Sequence, residues 1–349
     1  MNVSDRIAAA RAARASDVHL VCGLPPRCRV DGSLRDMEET PLTAADCEAA
    51  ARELAGADFA RLEQVGELDL AATLSGVRCR VNLFRQQGTY SSAIRLLSDH
   101  IPALEELGLP AAVPGFLDFG RGLVLITGET GSGKSTTLAA LLQRINETRA
   151  LHILTLEDPV EYRYPAGMCI VNQREIGRDT QSFAAGLRAA LREDPDVILV
   201  GEMRDLDTIQ TALTAAETGH LVFATVHTQS AADSVDRIVD VFPGARQQQI
   251  RLQLSMTLRA VLSQQLLPRQ RGGRVLACEV MQVDNAIRNL IREGKTPQIR
   301  NAIQTTGTIG NIPMERAVQN LYQSGAISRE TMERALQGLP DAALRPLTR

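Results

Sequence analysis

Apolar and polar positions change rhythm twice along this chain. Up to about residue 100 the apolar runs are short and mixed with polar residues, a pattern of short strands and amphipathic helices. Ile7 to Ala15 predicts an Ala-rich helix and Val18 to Val21 a strand. Leu24-Pro25-Pro26 is a break, and Arg27 to Val30 resumes a strand before Asp31-Gly32, a dipeptide that signals a hairpin turn. Thr43 to Leu54 predicts a helix with Thr43 as N-cap. Leu68 to Leu74, Arg78 to Phe84 and Ser91 to Leu97 predict three strands, the first two joined by Ser75-Gly76. Residues 1–100 therefore read as a small α+β domain. Residues 101–115 read as a linker, marked by Pro102, Gly108, Pro110, Pro114 and Gly115. From 116 to 284 continuous apolar strands alternate with long helical stretches, which predicts βαβ units and a parallel sheet. Residues 285–349 read as helical.

One turn in the middle stretch carries chemistry. Leu123-Val124-Leu125-Ile126-Thr127 is an apolar run suited to a buried parallel strand, and Thr136 to Ile145 has helical periodicity. Between them, Gly128-Glu129-Thr130-Gly131-Ser132-Gly133-Lys134-Ser135, followed by Thr136, matches the phosphate-binding pattern G-x-x-x-x-G-K-S/T. Glycines let successive backbone N–H groups point at phosphate oxygens, and the helix N-terminus adds partial positive charge. Lys134 reaches the β- and γ-phosphates of a nucleotide in such a loop, and Ser135 is a ligand for Mg²⁺.

A phosphate loop also needs an acid for the metal and a group to orient water. Two apolar runs end in acids, where a parallel sheet exposes functional groups. One is Val197 to Val200 followed by Gly201-Glu202; the other is His152 to Leu156 followed by Glu157-Asp158-Pro159-Val160-Glu161. Solvated strand-end carboxylates are the alternative for both. His220 and His227 bracket a further apolar strand, with His227 at the end where a γ-phosphate sensor belongs and His220 open to a structural role.

Composition narrows the remaining choices. Apolar residues make up 44% and charged residues 23% of 349 residues, enough for two ordinary globular cores. Aromatic residues are 3% with no Trp, and the net charge is −3, so neither a base-stacking surface nor a global basic field for nucleic acid is expected. The six cysteines form no C-x-x-C pair and read as free thiols in apolar stretches, with no zinc ribbon. No window approaches the ~18 apolar residues that a membrane span requires. The expected place is cytoplasmic, peripheral at the inner membrane through partners.

Four segments together resemble the secretion ATPase superfamily of type II and type IV machines. They are the phosphate loop, Leu156-Glu157-Asp158-Pro159-Val160-Glu161, Val200-Gly201-Glu202-Met203-Arg204-Asp205, and Thr218-Gly219-His220 through His227-Thr228. Ala286-Ile287-Arg288-Asn289-Leu290-Ile291-Arg292-Glu293 is similar to the signature of the PilT branch, the twitching-motility retraction motors. The resemblance implies an α/β fold: a RecA-like ATPase core, a PAS-like N-terminal α+β domain and a C-terminal helical region. It implies a homohexameric motor that hydrolyses Mg-ATP and acts on an inner-membrane platform protein. It implies that Glu161 activates water, that Glu202 supports Mg²⁺, and that Arg80 and Arg95 contact nucleotide across a moving domain or subunit boundary. Glu129 stands where the superfamily commonly has proline, which places an acid near phosphate and weakens the expected nucleotide affinity. Asn311-Ile312-Pro313-Met314-Glu315 also departs from the pattern. An ATPase of a related conjugation or secretion system, and a low-turnover nucleotide switch, share these features; Glu161 and Glu202 argue against a pure binder.

Overall fold

The computed structural model describes residues 2–30, 32–97, 100–307 and 310–339. The chain forms two compact units: residues up to Ile101 together with Pro159–Arg163, and Pro102–Asp158 together with the remainder from Tyr164.

The first unit contains α1 (Val3–Ala12), β1 (Asp17–Leu20), β2 (Arg27–Val30), β3 (Ser33–Asp36), α2 (Ala44–Ala55), α3 (Phe59–Val65), β4 (Glu67–Leu74), β5 (Val77–Gln86) and β6 (Thr89–Leu96). Its strands form an antiparallel sheet in the order β3-β2-β1-β6-β5-β4. Along β5, Val77, Cys79, Val81 and Leu83 are buried while Arg80 is exposed, the alternation of a sheet with one wet face. Ile7, Ala51, Leu62 and Ile94 complete the core on the covered face. Thr43 caps α2 as expected: its hydroxyl accepts from Asp46 N–H, while Asp46 reaches back to the Thr43 N–H at 2.8 Å. Ser75 and Gly76 both take positive φ, the turn that a two-residue hairpin loop needs. Of the expected Asp31-Gly32 turn, Asp31 lies outside the described residues. Helix α3 carries no signal in the sequence, because Phe59 to Val65 is too short to show a period.

The second unit begins with two 3-10 turns, Leu104–Leu107 and Val113–Asp118, in which Leu104, Val113 and Phe116 are buried. Part of the stretch read as a linker is thus packed structure. Then follow β7 (Gly122–Thr127), α4 (Lys134–Thr148), β8 (His152–Glu157), β9 (Ile170–Glu175), α5 (Phe183–Ala190), β10 (Val197–Val200), α6 (Leu206–Glu217) and β11 (Leu221–Val226). After them come α7 (Ala231–Asp240), α8 (Gly244–Thr257), β12 (Leu258–Pro268), β13 (Arg274–Gln282), α9 (Asn285–Glu293), α10 (Ile299–Thr305), α11 (Met314–Gln323) and α12 (Arg329–Gln337).

The strand order is β13-β12-β7-β11-β10-β8-β9. Every neighbouring pair is parallel except β12 with β13, so the sheet is mixed rather than the parallel one expected. The apolar runs of β12 and β13 are joined by a short glycine-containing turn at Gly272-Gly273, and such a connection can only reverse the chain. Strands β7, β10 and β11 are buried at every position, as helices on both faces require.

Helix α9 is capped by Asp284, whose carboxylate accepts from Ile287 N–H at 2.8 Å, and ends at Gly294 with φ 70°. Ile287 and Ile291 are fully buried in the core of this unit and Leu290 packs against it. The departing stretch near Asn311 is nonetheless anchored. Asn311 Oδ1 accepts from Gln282 N–H at 2.6 Å, and Ile312 bridges to Val280. Of the cysteines, Cys28, Cys47, Cys79 and Cys278 are buried free thiols, while Cys22 and Cys169 are half-buried. Burial pushes the Cys278 thiol up to about 12, which keeps it protonated.

Candidate active site

The loop between β7 and α4 is held by the strand beside it. Thr127, the last residue of β7, donates its hydroxyl to Ser263 Oγ on β12 at 2.9 Å. Gln264 Nε2 donates to Thr137 Oγ1 on the first turn of α4 at 2.8 Å. Between these two ties the backbone turns at Gly128, with φ 139°. A Cβ there would lie 2.4 Å from the Gln264 carbonyl oxygen, so only glycine fits. Gly131 and Gly133 take φ 83° and 93°, and Gly133 serves as N-cap of α4 without any side-chain cap. The first N–H groups of that helix are therefore left to a ligand.

Lys134 is buried, and its Nζ donates to the carbonyls of Gly128 at 2.6 Å and Glu129 at 2.9 Å. The loop is folded around its own lysine. Ser132 is buried and its hydroxyl has no hydrogen-bond partner, an orphaned polar atom inside the loop. Thr130, Gly131 and Ser135 are exposed at the loop mouth, and Thr136 is half-buried. Uncapped N–H groups, an orphaned hydroxyl and a cation in one loop fit a polyphosphate chain.

Glu129 does not face an empty position. Its Oε1 accepts from Gln229 Nε2 at 2.7 Å, which ties the loop to the segment between β11 and α7. That segment also carries His227, whose Nε2 lies 3.1 Å from Glu202 Oε1, so this nitrogen carries the proton. The same carboxylate oxygen accepts from Arg204, and that contact raises the guanidinium pKa. Three expected features, the phosphate loop, Glu202 and His227, thus meet at the carboxyl edge of one sheet. His220 has a structural place: its Nδ1 lies 3.0 Å from the Ala215 carbonyl, at the end of α6.

The other candidates lie on the first unit. Arg80 on β5 and Arg95 on β6 are directly opposite each other across the strand pair. Arg95 also stands opposite Asp17 on β1 and donates to its carboxylate at 3.0 Å. Burial opposes ionisation of Asp17, but Ser16 and Arg95 hold its carboxyl below the usual range. Arg80 makes no hydrogen bond or ion pair among the described residues. Glu161 falls in the Pro159–Arg163 stretch that belongs to this unit, where Arg78 Nε donates to the Val160 carbonyl at 3.2 Å.

Motif reading missed Gln229, Ser263 and Gln264, and it quoted Arg204 beside Glu202 without giving it a role. Gln229 follows the histidine segment by one residue and could have been examined for that reason. Ser263 and Gln264 sit in an ordinary strand run and carry no signal.

A phosphate loop between a buried parallel strand and a helix, with an acid at the end of a nearby strand, defines a P-loop ATPase with a RecA-like core. The chain belongs to the type II/IV secretion system protein family, whose pattern it matches over residues 2–342. It is 48% identical over 335 residues to the type IV pilus retraction ATPase PilT of Pseudomonas aeruginosa, covering 95% of this chain and 96% of the relative. It is 44% identical over 315 residues to a twitching motility protein of Neisseria gonorrhoeae, covering 89% and 84%. A crystal structure of the pilus retraction motor PilT with bound ADP superposes with a TM-score of 0.90 at 46% identity, covering 98% of both chains.

Proposed function

We propose that this chain is a Mg-ATP-hydrolysing motor that retracts a type IV pilus, working as a homohexamer against an inner-membrane platform protein. The observation that carries the reading is the loop at Gly128 to Ser135, folded on a buried lysine and an orphaned hydroxyl. Likeness to a retraction ATPase over nearly the whole chain supports the output. None of the described helices is long and apolar enough to cross a membrane, so attachment at the inner membrane falls to the partner.

In this reading the loop N–H groups and Lys134 hold the β- and γ-phosphates. Lys134 must then exchange the carbonyls of Gly128 and Glu129 for phosphate oxygens. Ser135 and Glu202 hold Mg²⁺, which supplies charge neutralisation on the phosphates. His227 stands beside Glu202 and senses the γ-phosphate through it. Glu161 takes the proton of the attacking water. Arg80 is the arginine available to an adjacent subunit's nucleotide, while Arg95 is committed to Asp17.

The test joins chemistry to output. Purified chain should release phosphate from ATP only with Mg²⁺ present. Lys134→Ala should lose about 10² to 10³-fold or more, the scale of a lost preorganised donor to developing charge. A deletion strain should be hyperpiliated and unable to twitch. Bald cells would overturn retraction in favour of assembly or secretion, and phosphate release unaffected by Lys134→Ala would overturn the site.

A further inference from the structure

Roughly 20 Å from the phosphate loop, at the opposite end of β7, lies a cavity of about 570 Å³. Asp118, Phe119, Gly120, Arg121, Arg259 and Asp284 line much of it. Its size falls in the range of small-molecule sites. Its charges are arranged in an unusual way.

Arg259 is the second residue of β12 and lies across the start of β7. Its Nε donates to the Arg121 carbonyl at 3.1 Å. The crossing is possible only because residue 122 is glycine, at φ 118°: a Cβ there would stand 2.6 Å from Arg259 Cγ and 2.7 Å from its Nε. Arg288 of α9, one turn beyond Asp284, donates from Nε to the Ser255 carbonyl at 3.1 Å and from Nη1 to Asn285 Oδ1 at 2.7 Å.

No carboxylate pairs with Arg121, Arg259 or Arg288 among the described residues. The acids that face the cavity are committed elsewhere: Asp118 takes Arg149 Nη2 at 2.8 Å, and Asp284 caps α9. Arg259 feels the like charges of Arg288 and Arg121. Partial burial, then Arg288, then Arg121 depress the Arg259 guanidinium pKa. A like-charged, partly desolvated group without a counter-ion is costly unless something anionic joins it.

We propose that this cavity is a second anion site, which binds a small phosphorylated molecule through Arg121 and Arg259. Planar guanidinium forks suit phosphate oxygens, which accept two N–H groups from one fork. Phe119 and Val283 give the wall an apolar part for the rest of such a molecule. Because Asp284 lines the cavity and caps α9, occupancy of the site bears directly on that helix.

The experiment uses full-length Lys134→Ala protein, so that anion binding in the phosphate loop is weakened, with pyrophosphate as probe. Calorimetry should find one pyrophosphate per chain, with a higher melting temperature when it is bound. Arg121→Gln and Arg259→Gln should each weaken that binding about tenfold to a hundredfold, the scale of one charge-assisted contact. Without anion, both variants should melt no lower than their parent, since each removes a repelling charge. Absence of pyrophosphate binding, or binding unchanged in both variants, overturns the proposal. So does tighter binding of hexaglutamate than of pyrophosphate, which would assign the arginines to an acidic segment of a protein.

Discussion

In the seven-stranded sheet of the second unit, helices cover both faces, and β7 and β11 bury all six of their residues. In the six-stranded sheet of the first unit one face stays wet, and β5 sets Arg78 and Arg80 between buried neighbours. The two sheets therefore offer chemistry in different places. A sheet covered on both faces has no mid-strand position for a functional side chain, and its chemistry moves to the strand ends, where Gly128, Glu202 and His227 gather. A sheet with one wet face can carry function in the middle of a strand. The price is that such residues cannot be told from ordinary solvated charges by burial or period.

The comparison breaks most visibly at Arg80. If the wet face serves a neighbour's nucleotide, Arg80→Ala should cut turnover by about 10³ to 10⁵-fold with ATP binding nearly intact. Arg95→Ala should fall short of that, because Arg95 is spent on Asp17. Phosphate release and nucleotide titration on both variants settle the ranking, and equal effects would refute it. Glu161→Gln comes next, with an expected loss of about 10² to 10⁴-fold in hydrolysis and unchanged ATP binding, since the amide takes no proton. Turnover close to that of the parent would remove its role as base.

The covered sheet should dominate the stability effects. Ile126→Ala, at a fully buried position of β7, should cost about 2–5 kcal/mol, read from urea midpoints. Asn82→Ala, on the wet face of β5, should stay within about 0.5 kcal/mol. A comparable cost at both sites would mean that the wet face is covered in solution.

The smallest effect sharpens the strand-end half of the comparison. Asp205 caps α6 by accepting from Thr208 N–H at 2.9 Å. Burial opposes its ionisation, yet the Thr208 hydroxyl and backbone N–H hold its carboxyl below the usual value. A depressed folded-state pKa contributes stability that is complete above the unfolded-state value of roughly 4 and is lost as pH falls through the folded one. Asp205→Ala should therefore cost about 1 kcal/mol at neutral pH, and less as the pH falls below 4. A cost that does not change with pH would show that the carboxylate charge is not what caps the helix.

How much was legible follows the same division. The phosphate loop, Glu202 and His227 could be read because they sit at strand ends beside apolar runs, where the polar residue itself marks the boundary. The network that joins them could not. Gln229 meets Glu129 across 100 positions of sequence, so the acid expected to disturb phosphate binding is held by an amide that no pattern names. Gln264 was equally invisible, although its carbonyl is what makes Gly128 obligatory.

The sequence by itself determined the elements whose cause is local. These are the Thr43 cap with its Asp46 partner, the Ser75-Gly76 turn, the strand–glycine loop–helix unit, and the apolar stripe of Ile287, Leu290 and Ile291. Each depends on residues within one turn or one strand length, and backbone sterics and side-chain spacing settle such features without a partner. Only the tertiary structure decided that β13 runs antiparallel at the sheet edge, that Pro159–Arg163 joins the first unit, and that Arg95 is neutralised by Asp17 while Arg80 opposite it is not. It also decided that Arg121 and Arg259 share one cavity, with no carboxylate paired to either among the described residues. These outcomes depend on which strand lies beside which, and pairing across a sheet brings together residues whose separation in sequence carries no signal of their contact.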